Sequence, residues 1–94
     1  MPGYTRAELT AELKVIPSRE AGKAPREQIE AARQAASESG LAHEASSDTT
    51  ILAGDRKEVL GAVMNVIEAS LDAGAHAVEV KVEAEADAPR FGRG

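Results

Sequence analysis

Leu9-Thr10-Ala11-Glu12-Leu13-Lys14-Val15-Ile16 alternates apolar and polar residues. Leu9, Ala11, Leu13 and Val15 share one parity; Thr10, Glu12 and Lys14 share the other. A period of two held over a run of this length belongs to a strand with one buried and one wet face. Pro17 stops it. A second alternating run stands at the far end of the chain, from Ala77 to Ala86. Val78, Val80, Val82 and Ala84 fall on one parity; Glu79, Lys81, Glu83 and Glu85 fall on the other. Two half-buried strands therefore frame the chain, and what lies between must connect them and cover their apolar sides.

Between them the period changes. Ser18 to Ala24 is a polar loop, and Pro25 fits a first helical turn, where its missing N–H has no partner to lose. Ile29, Ala32 and Ala36 then recur at helical spacing, and Gly40 is suited to follow a helix ending near Ser39. The small inner face of this helix allows close approach to a sheet. Leu41 to Ser46 is a weaker strand, with Leu41, His43 and Ala45 in phase. Ser47-Asp48 is a turn signal, and Thr49-Thr50-Ile51-Leu52-Ala53 is rich in β-branched residues, so these two strands form a hairpin. Gly54 breaks the run. Asp55 is suited to cap a second helix, with Glu58 completing a capping box in outline. Val59, Leu60, Val63, Met64, Val66, Ile67 and Leu71 give that helix a broad apolar face, and Gly74 ends it.

The order strand, helix, strand, strand, helix, strand is the split βαβ plan of the ferredoxin-like α+β fold. Its sheet order is 4-1-3-2, antiparallel, with both helices on one face and the other face bare. We expect one such domain over residues 8–86, with flexible tails at 1–7 and 87–94. The order of Ile51 and Leu52 leaves the parity of the third strand open. Being apolar on both sides, this strand is expected to meet a partner subunit.

Composition removes several function classes. The chain has 94 residues, 43 % hydrophobic and 29 % charged, a globular balance, and only 2 % aromatic. Without cysteine there is no disulfide, no thiol nucleophile and no cysteine zinc site. His43 and His76 are too few for a histidine metal site; His43 reads as a partly buried residue of the hairpin and His76 as a surface residue. The net charge of −5 opposes non-specific nucleic-acid binding, which requires a basic surface. No run approaches the length of a membrane span, and the cytoplasm is the expected compartment. The mixed charges from Arg19 to Glu27 read as a solvated loop. The glutamate row on the last strand does not converge as a cation site must. Hydroxyls at Ser46, Ser47, Thr49 and Thr50 have no identifiable base. Neither a catalytic residue nor a metal ligand set is read from the sequence.

The chemistry concentrates on the bare sheet face, where the first and last strands are neighbours and present Glu12, Lys14, Glu79, Lys81 and Glu83. Segments in chain order carry a wider likeness: Ala11-Glu12-Leu13-Lys14-Val15-Ile16-Pro17, Glu38-Ser39-Gly40-Leu41, Thr50-Ile51-Leu52-Ala53-Gly54-Asp55 running on to Val59, Gly74-Ala75-His76-Ala77-Val78, and Val80-Lys81-Val82. With these the sequence resembles the small thiamine-binding family, the YkoF-like proteins that bind thiamine or its hydroxymethylpyrimidine moiety. The likeness runs from about Ala11 to Glu83. It implies a ferredoxin-like fold, an oligomer built by joining sheets (a homodimer or homotetramer), and a pyrimidine ligand in a polar pocket between subunits. It implies no enzymatic activity and no cofactor. Glu12, Thr50 and Lys81 match positions that the family keeps. A carboxylate can accept from an exocyclic amine, a hydroxyl can serve a ring nitrogen, and a lysine can reach a hydroxyl or phosphate oxygen. Lys14, Asp48, Ala53 and Glu79 depart from the family pattern. The expected ligand-binding set is Glu12, Lys14, Asp48, Thr49, Thr50, Glu79 and Lys81. Three other readings stay open: a regulatory module for a different metabolite, an interaction module in which Lys14 and Glu79 pair and fill the pocket, and a small enzyme using Glu12, Glu79 or His43.

Overall fold

The computed structural model describes residues 8–84; the expected tails, and residues 85 and 86 of the expected domain, lie outside them. The elements run β1 (Leu9–Ile16), α1 (Pro25–Glu38), β2 (Ala42–Ala45), β3 (Thr49–Gly54), α2 (Arg56–Asp72) and β4 (Ala77–Ala84). They form one sheet in the order β2-β3-β1-β4, and every pairing is antiparallel. This is the ferredoxin-like βαββαβ plan, and β1 is the strand with β3 on one side and β4 on the other.

The register of β1 assigns every side chain to a face. Leu13 stands opposite Thr50 on β3 and Val80 on β4, while Glu12 stands opposite Ile51 and Lys81. Opposed residues of an antiparallel pair project to the same side. The helix side therefore takes Ala11, Leu13, Val15, Thr50 and Leu52. The open side takes Glu12, Lys14, Thr49, Ile51, Glu79 and Lys81. Ala11, Leu13 and Leu52 are fully buried, and Thr50 is only 5 % exposed. The parity of β3 is thus settled: Thr49 and Ile51 face outward, Thr50 and Leu52 inward.

Both helices end as their glycines allow. Ala73 is the last residue of helical geometry in α2, and Gly74 follows at φ 103°. The Gly74 N–H donates to Leu71 O and the Ala75 N–H to Ser70 O, which closes a Schellman turn. A Cβ at Gly74 would meet that of Ala21 at 2.6 Å, so the site excludes side chains twice over. In α1 a hydroxyl replaces one of these bonds: Ser39 Oγ donates to Ala36 O and accepts from the Leu41 N–H.

Helix α1 starts at Pro25 as expected, but the start of α2 differs from the expectation. Asp55 caps α2 by position, but its side chain makes no capping hydrogen bond, so the capping box with Glu58 does not form. Glu8 does the work from across the sheet: Glu8 N donates to Gly54 O, and Glu8 Oε1 accepts from Arg56 N at 2.9 Å. A carboxylate there also meets the positive end of the helix dipole. The N-cap of α1 is Ala24, which has no side-chain oxygen. The loop before α1 is tied instead by Gln28, which is fully buried. Its amide accepts from Ser18 N and donates to the carbonyls of Ser18 and Lys23.

The core joins Ala11, Leu13, Val15 and Leu52 of the sheet to Ala32 and Ala36 of α1 and Val59, Ala62, Val63 and Val66 of α2. The broad apolar face expected of α2 divides in two. Val59, Val63 and Val66 are buried, whereas Leu60, Met64 and Leu71 are 43 %, 58 % and 50 % exposed. Val80 and Val82 turn to the helix side as expected, yet they remain 40 % and 41 % exposed. Among the helices only α2 packs against β4, an outer strand of the sheet, so the helix side of that strand is incompletely covered. His43, expected to be partly buried, is exposed, with Nδ1 3.1 Å from Leu41 O.

Three substitutions test this arrangement by urea denaturation. Gln28→Leu strands one backbone N–H and two carbonyls and is expected to cost about 2–4 kcal/mol. Thr50→Lys forces a charge into the core side and is expected to cost at least about 2 kcal/mol, whereas Thr49→Glu, on the wet face opposite Lys14, stays within about 0.5 kcal/mol.

Candidate functional site

The open face is organised in cross-strand rows. One row reads Glu44, Ile51, Glu12, Lys81 across β2, β3, β1 and β4; the next reads Thr49, Lys14, Glu79 across β3, β1 and β4. Charge alternates along β1 and along β4, and it also alternates between them. Directly opposed side chains of this kind lie about 4.5–5.5 Å apart at Cβ. The rows set a carboxylate beside an ammonium twice within one small patch.

Glu12, Lys14, Glu79 and Lys81, with Val80, line a shallow depression of about 370 Å³. Four of the seven expected ligand-binding residues are thus brought together. Glu12, Lys14, Glu79 and Lys81 are all exposed. Lys81 Nζ lies 3.7 Å from Glu83 Oε2 on its own strand. Among the described residues, neither Lys14 nor Glu79 takes part in an ion pair within 4.0 Å. Thr49 stands at the rim, opposite Lys14, and its hydroxyl donates to Asp48 Oδ1 at 3.0 Å. Asp48 lies in the β2–β3 turn, whose carbonyl accepts from Val15 N. Thr50 is the residue that the fold removes: it points to the helices, on the far side of the sheet from the depression.

Ile51 was not among the expected ligand-binding residues. It is half-buried beside Glu12 on the open face and adds an apolar surface to a charged site. Alternation alone could not place it, because Ile51 and Leu52 are both apolar. The open face holds Glu12, Glu44, Glu79 and Glu83 against Lys14 and Lys81, four carboxylates to two ammoniums, and its field favours a cation. Among the described residues, no group of three or more His, Asp or Glu side chains is placed to hold a metal ion, and no helix is long and apolar enough to cross a membrane.

Comparison with solved structures finds the same architecture. A Bacillus cereus domain of unknown function is 24 % identical, with a TM-score of 0.67, over 84 % of this chain and 75 % of that one. A Thermotoga maritima protein assigned provisionally to thiamine biosynthesis or salvage is 22 % identical, with a TM-score of 0.68, over 85 % of this chain and 86 % of that one. A hypothetical protein of Methanocaldococcus jannascii is 20 % identical, with a TM-score of 0.62, over 85 % and 80 %. At these identities the likeness concerns the fold. No curated protein matches the sequence significantly. The sequence itself matches a family described as thiamine-binding protein over residues 11–89, a span that includes every residue lining the depression. The chain belongs to the thiamine-binding protein family.

Proposed function

We propose that the chain binds thiamine or a related aminopyrimidine at the depression on the open sheet face, as a binding protein without turnover. The observation that carries this reading is the family match, which takes in β4, most of β1 and all four charged lining residues. The chemistry is complementary. Thiamine has an exocyclic amine that donates, ring nitrogens that accept, and a thiazolium that is permanently positive. Glu12 and Glu79 supply acceptors for the amine and a field for the cation. Lys81 and Lys14 can reach the hydroxyl of the side arm, or phosphate oxygens where these are present. Ile51 offers a surface for a ring face. The hydroxyl role read onto Thr50 from the resemblance passes to Thr49, because only Thr49 faces outward.

The depression is shallow and open to solvent, whereas small-molecule sites bury most of their ligand. In this reading a second subunit closes it, so the binding species is a homodimer or homotetramer. Charged groups carried on paired strands are held more rigidly than groups on loops, which suits a site that binds without moving.

Calorimetric titration with thiamine and, separately, with hydroxymethylpyrimidine tests the proposal. Saturable heat is expected with at least one of them. Glu12→Gln removes a charge-assisted acceptor worth about 1.5–3 kcal/mol and is expected to weaken binding at least about tenfold. Absence of heat with both ligands, from folded protein, would reject the assignment.

A further inference from the structure

The open face continues past the depression toward β2. Its longest row reads Glu44, Ile51, Glu12, Lys81, and the apolar side chain in it has a carboxylate on each side. Ile51 is half-buried, while Glu12 and Glu44 are exposed. Neighbouring strands lie about 4.8 Å apart, so the two carboxylates stand on strands about 10 Å apart with Ile51 between them. On β3 the neighbours of Ile51 on the same face are Thr49 and Ala53. The Thr49 hydroxyl donates to Asp48, and the Ala53 methyl is too short to stand over Ile51. The result is a low apolar platform walled by Glu12 and Glu44. Among the described residues, neither glutamate takes part in an ion pair within 4.0 Å.

Such a platform discriminates among cations. A hydrated metal ion needs several converging oxygens, and no three-residue group of that kind occurs among the described residues. A flat organic cation has other needs. Its charge is spread over a ring with apolar faces, so one face can rest on Ile51 while the charge keeps a carboxylate on either side.

We infer that Ile51 is the seat of the ligand's cationic ring, the thiazolium of thiamine, and that Glu44 is a specificity-determining residue of the site. Given an aminopyrimidine in the depression, on which this inference rests, the order of charges sets the direction in which the ligand lies. One methylene joins the two rings of thiamine, so their centres are about one strand spacing apart, roughly 5 Å. With the pyrimidine amine on Glu12, the thiazolium falls over a neighbouring strand. Toward β4 it would meet Lys81; toward β3 it meets Ile51, with Glu44 beyond. An amine on Glu79 gives no such place, because the neighbour of Glu79 in its row is Lys14 and β4 is the last strand. The cation is therefore carried toward β2, and the neutral ring stays in the depression. Glu44 lies outside the depression and meets only the half of the ligand that bears charge. Hydroxymethylpyrimidine, which lacks that half, does not reach it.

Calorimetry on the full chain with both ligands reads this out. Glu44→Lys, at an exposed position on the wet face, is expected to leave circular dichroism unchanged. It is expected to weaken thiamine binding about tenfold and to alter hydroxymethylpyrimidine binding by less than about twofold. Glu44→Gln is expected to weaken thiamine binding about threefold. In methyl-labelled protein, thiamine is expected to shift the Ile51 methyl resonances and hydroxymethylpyrimidine to leave them in place. Equal effects of Glu44→Lys on the two ligands, no effect on either, or Ile51 methyls unmoved at thiamine saturation would overturn the inference and leave the ligand assignment standing. The N-methylthiazolium ion, which carries no pyrimidine, keeps the two proposals apart. Should thiamine and hydroxymethylpyrimidine both give no heat, while this ion at millimolar concentration shifts Ile51 saturably in wild type and not in Glu44→Lys, the cation seat stands without the assignment. Should the ion also leave Ile51 unmoved, both fall.

Discussion

The double pairing of β1 is the constraint on which the rest depends. This strand is held by β3 along one edge and by β4 along the other. Its strict alternation then decides which side of three strands is dry. A slip of one residue would carry Leu13 into water and Lys14 under the helices, reversing every face at once. Ala11 and Leu13 are fully buried, and Glu12 and Lys14 are exposed, so the register is fixed from both sides. Core and candidate site are therefore the two outcomes of a single pairing. The residues that bury the helix face cannot shift without dismantling the charged rows behind them.

Much of this was legible from period alone. β1 and β4 alternate cleanly, and Gly40 and Gly74 stand where the helices stop. The order of the sheet follows from the order of the elements. What was not legible depends on partners distant in sequence. Asp55 and Glu58 carry the local pattern of a capping box, but the carboxylate that serves α2 comes from Glu8, 48 residues away. Gln28 reads as an ordinary polar helix residue; only the fold shows that it is buried and bonded to a loop that begins ten residues earlier. β3 was ambiguous because Thr49-Thr50 and Ile51-Leu52 repeat the same character on both parities. Only its pairing with β1 chooses between them.

The candidate depression was legible to the same depth. That Glu12, Lys14, Glu79 and Lys81 share one patch could be read from two alternating strands and one topology, because alternation and neighbourhood were enough. The doubled threonine left the parity of β3 open, and an apolar residue on a wet face, as Ile51 is, carries no local mark. The apolar surplus of α2 and β4 was visible as hydrophobic pattern, but pattern does not measure coverage. Val63 projects toward the sheet and is buried, whereas Met64, one 100° step further round the helix, projects to its outer flank.

The contact between Glu8 and the start of α2 bears on how the chain acquires its shape. Glu8 reaches Arg56 only because its own backbone is docked on Gly54, beside the β1–β3 pairing. The first turn of α2 therefore gains its carboxylate after two strands more than thirty residues apart have met. Long-range closure of this sort is slow relative to helix growth. The C-terminal turn of α2, closed locally by Gly74, has no such dependence. The helix should thus mature from its C-terminal end, with its first turn ordered at the same moment as the centre of the sheet.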